Sequence, residues 1–201
     1  MIKNLILDFG DIFINLDKPA TARAMAKFGF TQITPKLDAL LKDFEKGIVS
    51  SDYFLTTIQK LFPKASKQDL TEAWNAILLD FPDYRLEFLE ELSLEKDYRL
   101  FLLSNTNELH IDFVKKQMGS AKYNRFKSSF EVFYLSHDMK MRKPDAEIFE
   151  FVLQENNLNP KETLFVDDTT ENTEAADHLG IKTWNLKVGV EDITILKSRL
   201  A

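Results

Sequence analysis

The sequence predicts an α/β fold, a Rossmann-like parallel sheet core flanked by helices, with a small helical-bundle cap inserted after the first strand. Three observations lead to this prediction. Five short apolar segments are spread along the chain, helical patterns separate the later ones, and one long interval near the N-terminus contains helical patterns only. Strands that alternate with helices form parallel sheets with right-handed crossovers. In such sheets, ligands bind at the carboxyl ends of the strands.

The predicted strands are short apolar runs, and helical patterns lie between the later ones. The strands are residues 2–7, 99–103, 132–135, 164–166 and 183–186. The helical patterns are residues 109–118, 146–153 and 172–179, the last of them ended by a glycine. We assign residues 1–14 together with 85–201 to the α/β core.

The interval after the first strand contains no convincing strand. Its helix-length amphipathic runs are separated by segments rich in glycine, proline and serine, such as 47–51 and 62–63. The runs are residues 20–28, 37–44, 52–61 and 70–79. We interpret residues 15–84 as a helical cap lying over the strand ends; the alternative is an elaborated crossover connection.

The composition excludes several classes of protein. The 201 residues carry a formal net charge of -6, so there is no overall positive field to hold nucleic acid or an anionic membrane. The absence of cysteine excludes disulfides, thiolate metal sites and cysteine nucleophiles. No apolar run approaches the ~20 residues of a membrane span. We expect a cytoplasmic protein, monomeric or weakly homodimeric, with neither nucleic acid nor membrane as a partner.

Acidic residues follow two of the predicted strands, and they indicate phosphate chemistry. Asp8 ends the first strand, where its carboxylate can attack phosphorus and form an aspartyl-phosphate. Because a carboxylate and a phosphate repel each other, a divalent cation must bridge them. Asp167 and Asp168 supply acids at another strand end, and Gly10 offers its backbone carbonyl. Hard oxygen ligands of this kind suit Mg²⁺.

Two further stretches supply groups that bind phosphate. Ser104 and Asn105 lie between a strand and a helix, where a hydroxyl and backbone N–H groups form a natural phosphate cradle. Lys143 precedes Pro144, which we place at the first position of a helix. The Lys143 ammonium offsets the charge shared by nucleophile and phosphate. Neighbouring Lys140 and Arg142 are predicted to be solvated surface charges, and none of the three histidines is expected to be catalytic.

In order and spacing, the stretches DFGDI, LLSNTN, MRKPD and FVDDTTEN resemble the four motifs of the haloacid dehalogenase (HAD) superfamily, which consists mainly of phosphatases. The resemblance extends from the first strand to about residue 186, and the helical insert lies where the family has its C1-type cap. The segments LLSNTNELH, YLSHDMKMRKPDAEIFEFVLQ and FVDDTTENTEAADHLGI are most similar to the bacterial α-D-glucose-1-phosphate phosphatase branch.

The resemblance implies a Mg²⁺-dependent phosphatase that acts on a small phosphorylated metabolite such as a sugar phosphate. It implies that Asp8 is the nucleophile and that Asp168 ligates the metal directly together with Asp8 and the Gly10 carbonyl. Asp167 and Asn172 would support these ligands without binding the metal directly. Lys143 would be catalytic and would also bind phosphate with the Ser104 stretch.

One position departs from the common pattern of the superfamily. Most of its phosphatases carry an acid/base aspartate two residues after the nucleophile, and this chain has Gly10 there, as the glucose-1-phosphate branch also tends to have. Asp11 is then a turn residue, a displaced acid or a sign of an altered substrate, and we favour the turn. Two alternative functions follow: a 2-haloacid dehalogenase, which would leave the acidic cluster unexplained, or a catalytically impaired protein that binds a phosphorylated ligand.

Overall fold

A five-stranded, entirely parallel sheet forms the centre of the computed structural model, which describes residues 1–200. The strands are β1 (Asn4–Leu7), β2 (Arg99–Ser104), β3 (Val132–Leu135), β4 (Thr163–Asp167) and β5 (Lys182–Asn185). Their order in the sheet is β3-β2-β1-β4-β5. All five predicted strands are present, and the predicted α/β fold class is confirmed.

Helices occupy most of the remaining chain. They are α1 (Ala20–Ala26), α2 (Pro35–Glu45), α3 (Ser51–Leu61), α4 (Lys67–Asn75), α5 (Asp83–Glu95), α6 (Glu108–Met118), α7 (Ser120–Ser128), α8 (Ser136–Met139), α9 (Ala146–Glu155), α10 (Thr170–His178) and α11 (Leu196–Leu200), with 3₁₀ turns at Pro160–Glu162 and Ile193–Ile195. Helices α5 and α7 were not predicted. Leu94 is exposed on α5, and α7 buries only Tyr123 and Phe126, so the apolar periodicity of both is weak.

The helices cover both faces of the sheet because side chains alternate along each strand. Leu5 and Leu7 of β1 point into a cluster that includes residues of α5, α6 and α7. Ile6 points the opposite way, into a cluster that includes residues of α9 and α10. Strands buried on both faces are apolar throughout, which explains the short apolar runs in the sequence.

The register of the strands determines where the site forms. Leu7 of β1 lies level with Leu102 of β2 and Val166 of β4. The residues that follow these positions therefore emerge at the same edge of the sheet. Asp8 comes directly after β1 and is tied to β4 by its N–H, which donates to the Val166 carbonyl at 2.9 Å.

Helices α1 to α4 pack around a hydrophobic cluster of their own. At its centre the rings of Phe44 and Phe54 stack with their centroids 4.1 Å apart. The chain enters and leaves this bundle side by side, since the Asn15 N–H donates to the Asp80 carbonyl at 2.9 Å. The boundaries of the cap at residues 15 and 84 remain a prediction. The pairing of Asn15 with Asp80 lies within these boundaries.

The bundle contacts the core at the carboxyl edge of the sheet. The Ser136 hydroxyl, at the start of α8, donates to the Glu45 carbonyl at the end of α2 over 2.7 Å. The Trp74 indole of α4 donates to the Asn107 side chain at 3.2 Å. Within residues 1–200, none of the helices combines the length and the hydropathy required to cross a bilayer.

Candidate active site

Three charged side chains meet at the carboxyl edge of the sheet and are almost completely buried. The Lys143 ammonium donates to Asp8 Oδ1 at 2.7 Å, to Asp167 Oδ2 at 2.6 Å and to the Leu103 carbonyl at 2.7 Å. Lys143 is 1% exposed and Asp167 is fully buried. The structure therefore brings together Asp8, Lys143 and Asp167, which the sequence analysis had selected from distant stretches.

Burial and charge act in opposite directions on this group. Burial raises the pKa of Asp8 to about 7, although the Lys143 charge opposes the shift. Burial also disfavours the charged form of Lys143, but Asp167 and Asp8 outweigh it and raise the pKa of the ammonium. Lys143 is therefore a permanent cation at neutral pH, whereas the pKa of Asp8 lies close to neutral pH.

The two neighbouring aspartates of the fourth strand end have different surroundings. Asp167 accepts from Lys143, from the Thr169 N–H at 2.8 Å and from the Asn172 amide at 3.1 Å on both oxygens. Within residues 1–200, Lys18 is the only side chain that hydrogen-bonds to the Asp168 carboxylate, at 2.5 Å. Asp167 therefore holds the buried Lys143, whereas the side-chain partner of Asp168 is the exposed Lys18.

The donor set at this edge fits a divalent cation. Asp8, Asp167 and Asp168 each offer a carboxylate oxygen, and these atoms lie within 4.8 Å of one another. Because Asp167 is already saturated by its partners, Asp8 and Asp168 are the carboxylates best able to ligate. Within the described chain, no backbone N–H donates to the Gly10 carbonyl, which leaves a third hard oxygen. Mg²⁺ prefers oxygen ligands of this type.

The predicted phosphate-binding residues behave differently from one another. Ser104 is 3% exposed and lines a cavity of about 240 Å³ beside the Asp8 cavity. The Asn105 side chain is fully engaged with the Lys143 backbone: its Oδ1 accepts from the Lys143 N–H at 2.9 Å, and its Nδ2 donates to the carbonyl at 2.8 Å. Asn105 therefore positions the lysine, and a phosphate contact would fall to its backbone. The prediction that Pro144 is the first residue of a helix is wrong, because Pro144 lies two residues before the start of α9.

A cavity of about 510 Å³ separates the strand ends from the helical bundle. The core lines it with Asp8, Lys143 and Asp168, and the bundle side with Lys18, Lys42 and Glu45. These last three residues are not among those that the sequence predicts for the site. Nothing in their local pattern signals a site, because their position depends on how the bundle packs against the core.

The prediction of a solvated surface charge is wrong for Arg142 and agrees with the exposed position of Lys140. The Arg142 Nε donates to Glu45 Oε2 at 2.9 Å, and its side chain is 19% exposed. The Lys140 ammonium donates to the Gly47 carbonyl at 2.7 Å. Both basic residues therefore tie the loop that carries Lys143 to the end of helix α2.

The geometry of Asp11 agrees with the turn interpretation. Its φ is 56°, in the left-handed region that Asp and Asn tolerate best among residues with a Cβ. Its Oδ1 accepts from the Leu16 N–H at 3.0 Å, and its own N–H donates to the Ile14 carbonyl at 2.8 Å. Gly10 does not have a positive φ, so the strained position of this loop is Asp11.

The contacts of His110 indicate a structural role. Its ring stacks on Trp74 with centroids 5.2 Å apart, and its Nε2 lies 3.2 Å from the Trp74 carbonyl. Because a carbonyl only accepts, Nε2 carries the proton, and Nδ1 accepts from the Asn107 amide at 3.2 Å. Burial lowers the pKa of His110 to about 4, so the ring is neutral at physiological pH.

A buried carboxylate at the end of a parallel strand, held by a lysine from a distant loop, is suited to act as a nucleophile. This chain belongs to the haloacid dehalogenase-like hydrolase family, whose sequence profile matches residues 8–186. The family resemblance and the hydrolase class predicted from the sequence are thereby confirmed. The finer resemblance to the α-D-glucose-1-phosphate phosphatase branch remains a prediction.

Proteins similar to this chain include enzymes of two bacteria. D-ribitol-5-phosphate phosphatase of Bacteroides thetaiotaomicron is 28% identical over 197 residues, which are 95% of each chain. The crystal structure of a HAD family enzyme from the same organism, in complex with magnesium, has a TM-score of 0.85 at 38% identity and covers 98% of both chains. A predicted HAD-like hydrolase from Porphyromonas gingivalis has a TM-score of 0.85 at 31% identity, covering 100% of this chain and 98% of its own.

Proposed function

We propose that this protein is a Mg²⁺-dependent phosphatase that hydrolyses a small phosphorylated metabolite through an aspartyl-phosphate on Asp8. The observation that carries the proposal is the placement of Asp8. It is 8% exposed and lines the cavity, beside a permanent cation, and one of its carboxylate oxygens lies within 4.8 Å of one of Asp168. The D-ribitol-5-phosphate phosphatase relative and a HAD family enzyme crystallised with magnesium and inorganic phosphate support both the reaction and the cation.

In this mechanism one oxygen of Asp8 forms a bond to phosphorus while the bond from phosphorus to the ester oxygen breaks. The alcohol leaves with a proton from the solvent. The oxygen of a water molecule then forms a bond to phosphorus while the bond from phosphorus to the Asp8 oxygen breaks, which releases phosphate and regenerates the Asp8 carboxylate. Lys143 binds Asp8 Oδ1 at 2.7 Å, so it can balance the negative charge that nucleophile and phosphate share. Asp167 holds that ammonium in place from the opposite side.

The divalent cation supplies positive charge between two groups that repel each other. Asp8, Asp168 and the Gly10 carbonyl are the oxygens we assign to it. Because burial, against the opposing charge of Lys143, raises the pKa of Asp8 to about 7, a divalent cation would also keep the nucleophile ionised at neutral pH. Asn172 and Thr169 hold Asp167 and thereby the rest of the charged group.

Among the described residues, the Gly10–Asp11 turn does not supply the proton donor of the usual mechanism. Gly10 has no side chain, and one Asp11 oxygen accepts from the Leu16 N–H while the other faces Lys18. General acid catalysis is typically worth ~10²–10⁴-fold, so esters with weakly basic leaving groups should be favoured. Glucose 1-phosphate has such a leaving group, whereas ribitol 5-phosphate does not, and the two compounds therefore discriminate between the substrate classes.

A phosphate-release assay over sugar and polyol phosphates, with Mg²⁺ and with excess EDTA, tests the proposal. We expect turnover with Mg²⁺, background rates in EDTA, and background rates for Asp8→Asn in both. Full activity in EDTA would remove the metal from the proposal. Halide release from a 2-haloacid would support the dehalogenase alternative, and ligand binding without any turnover would support the impaired binding protein.

A further inference from the structure

An exposed lysine from the bundle linker reaches two buried acids of the core. Lys18 follows the pairing of Asp17 with Ile77 and precedes α1. Its ammonium lies 2.5 Å from Asp168 Oδ2 and 3.2 Å from Asp11 Oδ2. The Lys18 side chain is 57% exposed, whereas those of Asp168 and Asp11 are 7% and 5% exposed. The contact therefore joins an exposed cation to two almost completely buried anions.

This contact differs from the lysine contact at Asp167. Lys143 is buried, has all three N–H donors satisfied and cannot leave without unpairing two buried carboxylates. Lys18 approaches from solvent along a flexible stem. Because water can take over its hydrogen bonds, an exchange of Lys18 for another cation costs little.

We propose that Lys18 is a tethered counter-cation of Asp168, which it must release before a divalent cation binds there. The proposal rests on the magnesium site proposed above. An ammonium and a metal ion both need close contact with the same small carboxylate, and Mg²⁺ sits only ~2.1 Å from its oxygen ligands. Two cations on one carboxylate repel each other at this separation. Lys18 and magnesium are therefore alternative partners of Asp168.

The position of Lys18 in the chain gives the exchange a second consequence. Residues 15–17 pair with residues 77–80 where the chain enters and leaves the bundle. Lys18 comes directly after this pairing, and its contact with Asp168 ties the linker to the edge of the sheet. Occupation of the metal site would remove this tie, so the bundle linker responds to the metal before any substrate arrives.

Isothermal titration of metal-free protein with MgCl₂, without substrate, tests the proposal. Lys18→Met removes the competing charge, and we expect its Kd for Mg²⁺ to be roughly three- to tenfold tighter than that of the wild type. Lys18→Gln should change the Kd in the same direction. The matched control is Lys42→Met, which removes a positive charge from the same cavity. Lys42 is a control because its ammonium pairs with Asp38 of its own helix, at 2.6 Å, and not with Asp168. Its Kd should stay within twofold of the wild-type value.

Thermal unfolding supplies an independent readout. In EDTA, Lys18→Met leaves Asp168 without its counter-charge, so its Tm should fall below that of the wild type, and saturating Mg²⁺ should raise it by more. An unchanged or weaker Kd for Lys18→Met would overturn the proposal, as would an equal tightening in Lys42→Met. If the wild type binds Mg²⁺ and releases phosphate while Lys18→Met binds no tighter, only this proposal fails. If no variant binds Mg²⁺, the proposed metal dependence fails together with it.

Discussion

The Asp8 carboxylate and the Lys143 ammonium, 135 positions apart in the chain, meet at 2.7 Å in the interior of the protein. The remaining two N–H donors of the ammonium go to Asp167 and to the Leu103 carbonyl, so its hydrogen-bonding capacity is filled. A cation satisfied in this way keeps a fixed position. The nucleophile assigned to Asp8 is consequently held in one orientation before any substrate binds.

Removal of the Lys143 charge should destabilise the fold as well as abolish turnover. Lys143→Met leaves two buried carboxylates unpaired, and breaking a buried ion pair typically costs about 3–5 kcal/mol. Urea unfolding measures this loss, and Lys3→Met, at an exposed pair with Glu162, is the control that should cost under about 1 kcal/mol. A loss below about 1 kcal/mol for Lys143→Met would contradict the structural role described here.

Asp11→Asn should be mild. The amide oxygen can accept the same bond from the Leu16 N–H, and Asn tolerates the left-handed backbone at this position. We expect turnover within a few-fold of the wild type, and a cost of about 1–2 kcal/mol for Asp11→Ala, which loses both advantages. A loss of turnover of ~10²-fold in Asp11→Asn would instead identify Asp11 as an acid/base group.

Gly10 should resist enlargement because a larger side chain would contact Leu16. Backbone strain is not the reason, because the φ of Gly10 is not positive. A Cβ at Gly10 would lie 2.8 Å from Leu16 Cδ1. Gly10→Ala should therefore cost about 1 kcal/mol, at the low end of the usual overpacking cost, because Leu16 Cδ1 is the end of a flexible side chain that can shift. In a Leu16→Ala background the same change should cost clearly less. Urea unfolding of the two single variants and the double variant measures the coupling, and simple additivity would show that the contact is not the cause.

Glu45→Gln should change which ester is hydrolysed. Glu45 lines the cavity from α2 and pairs with Arg142, and we expect its carboxylate to contact the leaving group of a bound ester. We expect the ratio of kcat/KM for glucose 1-phosphate to that for ribitol 5-phosphate to shift by about tenfold or more. The rate with p-nitrophenyl phosphate should stay within a few-fold. Asp38→Asn, at a half-exposed position on the same helix, is the control, and equal losses on all three substrates would contradict a role in specificity.

His110 should make the protein less stable in acid. Burial lowers its pKa to about 4 in the folded state, while the unfolded chain binds the proton near the ordinary value of 6.5. Unfolding therefore takes up a proton between these values. The contribution of His110 is complete above about pH 6.5 and falls as the pH decreases towards 4, by at most about 1.4 kcal/mol per pH unit.

Urea unfolding of His110→Gln at several pH values tests this dependence. The difference in unfolding free energy between wild type and His110→Gln should shrink as the pH falls through this window. His178→Gln, at an exposed position near the end of α10, is the control for removal of an imidazole. A difference that is constant with pH would show that His110 binds its proton equally in both states.

The sequence by itself determined the sheet and the location of the chemistry. Strands buried on both faces must be apolar along their whole length, and an acid directly after such a run has to emerge at the edge of the sheet. Asp8 and Asp167 were identified on this basis. The prediction failed for α5 and α7, whose apolar positions are too few or too irregular to show a period. Their helical state depends on packing against the sheet and not on their own pattern.

Only the tertiary structure decided which side chains use one another as partners. Asn105 and the Lys143 backbone are 38 positions apart, Glu45 and Arg142 are 97 apart, and Lys18 and Asp168 are 150 apart. A local pattern shows that a residue is polar and lies in a loop, but the identity of its partner depends on how distant segments of the chain pack together. Hydrogen bonds and ion pairs act over about 3 Å, so only the packed structure decides that Asn105 holds the Lys143 backbone and that Lys18 reaches Asp168.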